Sequence, residues 1–196
     1  MKAKILKAKD YSNSDWAGGS TQQLLLLPVD ASFAKRDFEV RISKASIKAA
    51  KSTFTLLPGI NRNLLLLSGQ TMLHINKELP QLVLPGSEIN FSGSDQITCQ
   101  GSGSDFNVMH AGEGHVSSQF LQFKKSNILH FITYAVGQIL FIYANQGSLK
   151  IEIDQDKFEL KEDQSLFIPS LIAKKELRIE ANKNSNAVLS EIWLDK

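Results

Sequence analysis

The stretch FTLLPGINRNLLLLSGQTMLHINKELPQLVLPGSEINFSG, residues 54–93, decides the fold class. It reads as short strands broken by turn signals. Pro58-Gly59 turns the chain, residues 64–67 form an apolar strand, and Ser68-Gly69 turns it again. Met72, Leu73 and Ile75 belong to the next strand, and Pro85-Gly86 precedes a last one that holds Ile89 and Phe91. The same order recurs in LFIYANQGSLKIEIDQDKFELKEDQSLFIPS, residues 140–170. There Gly147 stands where Gly69 stood, Asp163 near Gly86, and residues 167–170 near residues 89–92. Two similar β-modules in one chain predict a duplicated barrel.

Working outward, residues 2–9 alternate as a first strand, and residues 11–20, dense in Ser, Asn, Asp and Gly, read as a loop around Trp16. Residues 24–27 are four leucines in a row, which predicts a strand buried on both faces. Residues 31–37 connect to a clean alternation. Phe38, Val40 and Ile42 fall on one side, with Glu39, Arg41 and Ser43 on the other. Residues 101–109, GSGSDFNVM, read as a Gly/Ser turn leading into Asp105-Phe106-Asn107, and residues 110–118 as an exposed loop. No segment sustains a 3.6-residue apolar period, so the chain is expected to be all-β with little helix.

Composition narrows the function. The 196 residues are 42% hydrophobic and 21% charged, and the formal net charge is +2 with the two signs mixed. That is an ordinary globular chain, long enough to bury a core. Its longest basic runs are pairs such as Lys124-Lys125, which argues against a nucleic-acid partner. No apolar run reaches the roughly 20 residues of a membrane helix, so no membrane partner is expected. A single cysteine, Cys99, and an N-terminus without a signal-peptide core point to the cytoplasm.

Four polar constellations stand out of the β background. Trp16-Ala17-Gly18-Gly19-Ser20-Thr21 offers paired glycines for close backbone approach and a hydroxyl, or else a tight turn capped by a core tryptophan. Arg41 with Ser43 suits bidentate capture of a carboxylate, or else an ion pair with an acid on a neighbouring strand. Asp105 and Asn107 share a face and can meet a ligand nitrogen, or else satisfy turn backbone. Asn61-Arg62 places a guanidinium at a strand start, where a solvated turn residue is the plainer reading. The histidines His74, His110, His115 and His130 lie apart with no paired spacing, so neither a metal nor any other cofactor is expected. Cys99 has no basic neighbour, and no nucleophile elbow or phosphate loop is present.

WAGGST at 16–21, DFEVRISKASI at 37–47, FTLLPGINRNLLLLSG at 54–69 and SDFNVM at 104–109, in this order, resemble the HutD/Ves family. Thr55 departs from that pattern, standing where the family carries serine. The resemblance implies an RmlC-like bicupin: two cupin-like β-barrel halves, residues 1–110 and 111–196, with terminal strands open to exchange between them. It implies a pocket lined by Trp16, Gly19, Thr21, Arg41, Ser43, Arg62, Asp105 and Asn107. It also implies a regulatory protein of histidine utilisation that binds a small carboxylate, with pathway intermediates such as urocanate or formylglutamate as examples. In that reading Arg41 fixes the carboxylate while Asp105 or Asn107 contacts a nitrogen. The competing reading is an enzyme acting on a small carboxylate with Asp105 as general base. It ranks second because a nearby Arg41 would pull the Asp105 pKa down. A homodimer is left open.

Overall fold

The structure is a computed structural model describing residues 2–125, 127–133 and 137–195, with backbone alone at 130, 132 and 133. It is all-β apart from one 3₁₀ turn at Ala8–Asp10 among the described residues. The strands are β1 (Lys4–Leu6), β2 (Ser12–Trp16), β3 (Gly19–Leu27), β4 (Val40–Ile47), β5 (Lys51–Thr53), β6 (Ile60–Ile75), β7 (Gln81–Val83), β8 (Glu88–Ser92) and β9 (Ile97–Ala111). They continue as β10 (Gly114–Phe123), β11 (Asn127–Thr133), β12 (Ile139–Gln146), β13 (Leu149–Ile153), β14 (Asp156–Leu160), β15 (Ser165–Ile168), β16 (Lys175–Ala181) and β17 (Ser185–Leu194). They fall into two compact units, Tyr11–Glu113 and Met1–Asp10 with Gly114–Lys196. The first ten residues go with the C-terminal unit because β1 pairs with β15.

The Tyr11–Glu113 unit is one sheet in the order β2-β3-β4-β9-β6-β7, with β5 added on β9 and β8 on β6. Its axis is the antiparallel pair β6–β9, in register from Ile60↔Ala111 to Ile75↔Ile97. Each long strand serves two partners in turn. β6 pairs with β8 over Asn61–Leu65 and with β7 over Thr71–Leu73. β9 pairs with β5 over Thr98–Gln100 and with β4 over Gly103–His110. The change of partner falls where the register shifts between Leu66 and Ser68, opposite a run of small residues. Here the sequence reading is corrected. Ser68-Gly69 and residues 101–104 do not turn the chain but bend two continuous strands against each other, with Ser68↔Ser104 and Gly69↔Gly103 as partners. Gly69 has φ +77°, and a Cβ on it would run into the Ser102 carbonyl. A positive φ serves a bulge as well as it serves a turn.

Three further expectations change. Of the leucines at 24–27, Leu24 is buried and the other three are half-buried. Among the described residues β2 pairs with β3 over residues 19–23 and no strand pairs with the far edge of the leucine run. Residues 110–118 are no open loop: β9 runs to Ala111 and β10 starts at Gly114, with His110 buried and Gly112 at φ +72° in the turn between. Trp16 is 39% exposed and so is no core tryptophan.

The C-terminal unit has a five-stranded sheet, β1-β15-β12-β17-β10, and a four-stranded one, β11-β16-β13-β14. Inward residues recur with period two, as in Leu140, Ile142 and Ala144 of β12 and Leu149, Ile151 and Ile153 of β13. They form one continuous apolar core with Leu177 and Ile179 of β16 and Leu189 of β17. The other face of the four-stranded sheet carries an ion-pair ladder, with Glu152 against Lys157 (3.1 Å) and Arg178 (2.8 Å). These pairs are partly solvated and add little stability.

The correspondence read between residues 54–93 and 140–170 extends to backbone hydrogen bonds. Leu66 N–H donates to Ser87 O (3.1 Å) while Gly86 N–H donates back to Leu66 O (2.8 Å). Ala144 N–H likewise donates to Gln164 O (2.9 Å), and Asp163 N–H to Ala144 O (2.8 Å). Gly69 and Gly147 follow three residues after these points with φ +77° and +75°. They differ in setting: Gly147 connects β12 to β13, whereas Gly69 lies inside β6.

Candidate functional site

Period-two geometry builds a polar cavity on one face of the Tyr11–Glu113 sheet. On β4 it selects Arg41, Ser43, Ala45 and Ile47, and on β9 it selects Asp105, Asn107 and Met109. The register stacks them in rows. Arg41, Met109 and Arg62 of β6 form one row; Ser43 and Asn107 form the next; Ala45 and Asp105 form a third. Thr21 of β3, Ser14 and Trp16 of β2, Thr53 of β5, and the loop residues Phe33, Phe54, Thr55 and Leu57 complete the wall. Phe106, on the opposite side of β9, is buried away from it. The cavity encloses about 240 Å³. It lies between two apolar clusters, one around Leu64, Leu66 and Ile97 and one around Phe38, Leu57 and Ile60.

Both arginines are buried and braced by neutral groups. Arg41 is 6% exposed. Its Nε donates to Gln23 Oε1 at 3.0 Å, Nη1 donates to Ser43 Oγ at 3.3 Å, and its guanidinium lies 4.1 Å from the Phe33 ring centre. The expected alternative, an ion pair with a neighbouring acid, is not what the structure shows: Gln23 takes that place. Arg62, 8% exposed, lies over the tilted ring pair of Phe54 (4.9 Å) and Phe91 (5.0 Å), and its Nε is buried without a hydrogen-bond partner among the described residues. It is thus no solvated turn residue. Among the described residues neither guanidinium forms a salt bridge. Burial holds both arginines down at about 10, Arg62 being pulled up by Asp105 and pushed down by Arg41. Both stay cationic at neutral pH.

Asp105 is 4% exposed, and burial pushes its carboxyl up to about 7 against the opposing pull of Arg62. The expectation that a neighbouring arginine would keep this pKa low is therefore corrected. The arginine that acts on it is Arg62, and desolvation outweighs the attraction. Asn107, 5% exposed, has its Oδ1 buried without a hydrogen-bond partner among the described residues. Cys99, deeper in the sheet, is a buried free thiol whose pKa burial raises.

The remaining expected residues are placed as follows. Trp16 and Thr21 line the cavity and are joined by an indole N–H donated to Thr21 Oγ1 at 3.2 Å. Gly19 does not line it. That residue lies against β4, where a Cβ would overlap the Ser46 carbonyl, so its missing side chain serves strand packing. Among the lining residues that the sequence did not single out, Met109 carried a usable signal, lying two residues along β9 from Asn107, whereas Phe33 sits in a loop and carried none. Gln23, the brace of Arg41 outside the cavity wall, likewise lies two residues along β3 from Thr21. Among the described residues no cluster of three or more His, Cys, Asp or Glu side chains could hold a metal, and the His130 side chain lies outside them. Two guanidiniums beside one carboxyl and one amide make a donor set that repels a divalent cation and attracts an anion.

Comparison with known proteins agrees with this architecture. The chain is similar to a conserved protein of unknown function from Pseudomonas aeruginosa PAO1, at 21% identity and TM-score 0.83 over 98% of this chain and 99% of that one. It is similar to HutD from Pseudomonas fluorescens SBW25, at 20% identity and TM-score 0.71 over 98% and 100%. A cupin 2 conserved barrel domain protein from Leptotrichia buccalis shares the fold more distantly, at 17% identity and TM-score 0.52 over 98% and 96%. At these identities the likeness establishes a cupin fold. No curated protein matches the chain. The HutD family model, however, matches residues 8–189, and on that span the chain belongs to the HutD family.

Proposed function

We propose that the cavity binds a small carboxylate through Arg41 and Arg62, and that the protein acts by binding rather than by chemistry. In that reading it regulates histidine or amino-acid utilisation in the cytoplasm. The observation that carries the anion is the pair of buried guanidiniums facing one cavity without a salt bridge. A shift from 12.5 to about 10 corresponds to about 3 kcal/mol of disfavoured charge at each arginine. A carboxylate in the cavity offsets part of that cost through charge-assisted hydrogen bonds. The orphaned Asn107 Oδ1 and Arg62 Nε supply an acceptor and a donor without a hydrogen-bond partner among the described residues. A volume of about 240 Å³ suits a metabolite-sized acid, lying below the roughly 300 Å³ at which drug-sized pockets begin.

A thermal-shift panel of urocanate, formylglutamate, histidine, glutamate and formate tests this. An acid at 100 times its Kd stabilises the fold by about 2.7 kcal/mol, a midpoint rise of several degrees. Arg41→Met removes the response while the unliganded protein stays folded. No response to any acid rejects the reading. One observation favours the enzyme alternative, namely that Asp105 titrates near neutrality, where a general base works best. Turnover of a panel acid that is lost in Asp105→Asn, with binding kept, would establish it.

A further inference from the structure

We propose that the cavity takes up its anion together with one proton, which Asp105 accepts from solvent. The idea rests on the anion-binding reading above and adds how that site is regulated. Its basis is the arrangement along β9, where Asp105, Asn107 and Met109 follow one another on a single face. The two guanidiniums flank Met109, and the carboxyl of Asp105 lies two rows along β9 in the same cavity. An anion held by Arg62 neutralises the cation that keeps Asp105 ionised, and adds a second negative charge to a buried cavity. Both changes favour the protonated acid.

Among the described residues the titratable groups on the strands around Asp105 are few. Arg62 comes from β6 and Arg41 from β4, while on β9 itself Cys99 is held as a thiol by burial. Lys44 of β4 pairs with Phe106 and belongs to the opposite face. The balance is simple: one hydronium proton moves to an Asp105 carboxylate oxygen as one anion enters, and no covalent bond to carbon forms or breaks. Near neutral pH the acid is poised for this, because burial already lifts its titration to about 7. Anion affinity therefore falls as pH rises through that range, approaching tenfold per pH unit at the steepest.

The test is a pH titration of protein labelled with ¹³C at the aspartate carboxyls, with and without saturating glutarate or formate. Saturation is read from backbone amide shifts, and the Asp105 signal is identified by its loss in Asp105→Asn. The expected result is a rise of about two units in the Asp105 midpoint with the anion bound. Alongside it, wild-type affinity drops about tenfold between pH 7 and 8.5, while that of Asp105→Asn stays flat. Saturable binding with an unmoved midpoint overturns the proton uptake and leaves the anion site standing. A lowered midpoint also overturns it and marks a ligand cation against Asp105. Absence of binding by any acid at any pH overturns both. If Asp105→Asn does not fold, the wild-type affinity profile decides, since a flat profile contradicts the proposal.

Discussion

Asp105→Asn should stabilise this protein, increasingly so as pH rises. The carboxyl titrates near 3.8 in an unfolded chain and at about 7 in the fold, a value that already contains the opposing pull of Arg62. Between these two values the native state binds more protons than the unfolded one, so stability falls as pH increases. A difference of about three units amounts to about 4 kcal/mol once both states are ionised. The asparagine variant keeps the shape and never ionises, so it escapes this loss. Near pH 4 the two proteins should be close in stability. At pH 5 the variant should lead by about 2 kcal/mol, and at pH 8 by about 4 kcal/mol. For 196 residues the second figure corresponds to a Tm difference of roughly 10 °C. Thermal melts by circular dichroism at pH 4, 5, 6, 7 and 8 measure it directly. Parallel melting curves for the two proteins across this range would refute the claim that Asp105 is buried without adequate compensation.

Other perturbations probe the same arrangement. Gln23→Glu places a carboxylate where the Arg41 Nε now donates to an amide at 3.0 Å, so acid affinity should fall at least tenfold by calorimetry while Tm holds or rises. Arg62→Gln removes a guanidinium braced by Phe54 and Phe91; loss of a charge-assisted contact predicts about 2–3 kcal/mol weaker acid binding. Gly69→Ala forces a Cβ onto a left-handed residue against the Ser102 carbonyl. It should cost about 2–4 kcal/mol in denaturant unfolding, from backbone strain and overpacking together.

What could be read from the sequence follows the range of each signal. Strand periodicity acts over two residues, so Arg41 with Ser43 and Asp105 with Asn107 were legible as shared faces, and those faces meet in one cavity. Glycine is ambiguous at that range. A positive φ at Gly59 and Gly86 turns the chain, whereas at Gly69 it bends a sixteen-residue strand. Only the pairing partner distinguishes the two, and Gly103 lies 34 positions away. Arg62 looked solvated beside Pro58-Gly59 and Asn61. Its burial depends on Phe91, brought alongside by the β6–β8 pairing. Gly19 was rightly singled out for close approach, but what it approaches is Ser46 rather than the cavity. The pKa of Asp105 could not be judged from the arginine expected beside it, because desolvation is set by everything packed around the carboxyl.

The central claim is that Arg41 and Arg62 receive an acid in this cavity. A crystal structure at saturating concentration of whichever acid most raises the Tm tests it most directly. The account predicts a carboxylate with oxygens about 2.7–2.9 Å from guanidinium nitrogens of Arg41 or Arg62, inside the wall formed by Thr21, Ser43 and Asn107. An acid bound elsewhere, with neither guanidinium in contact with it, would contradict it.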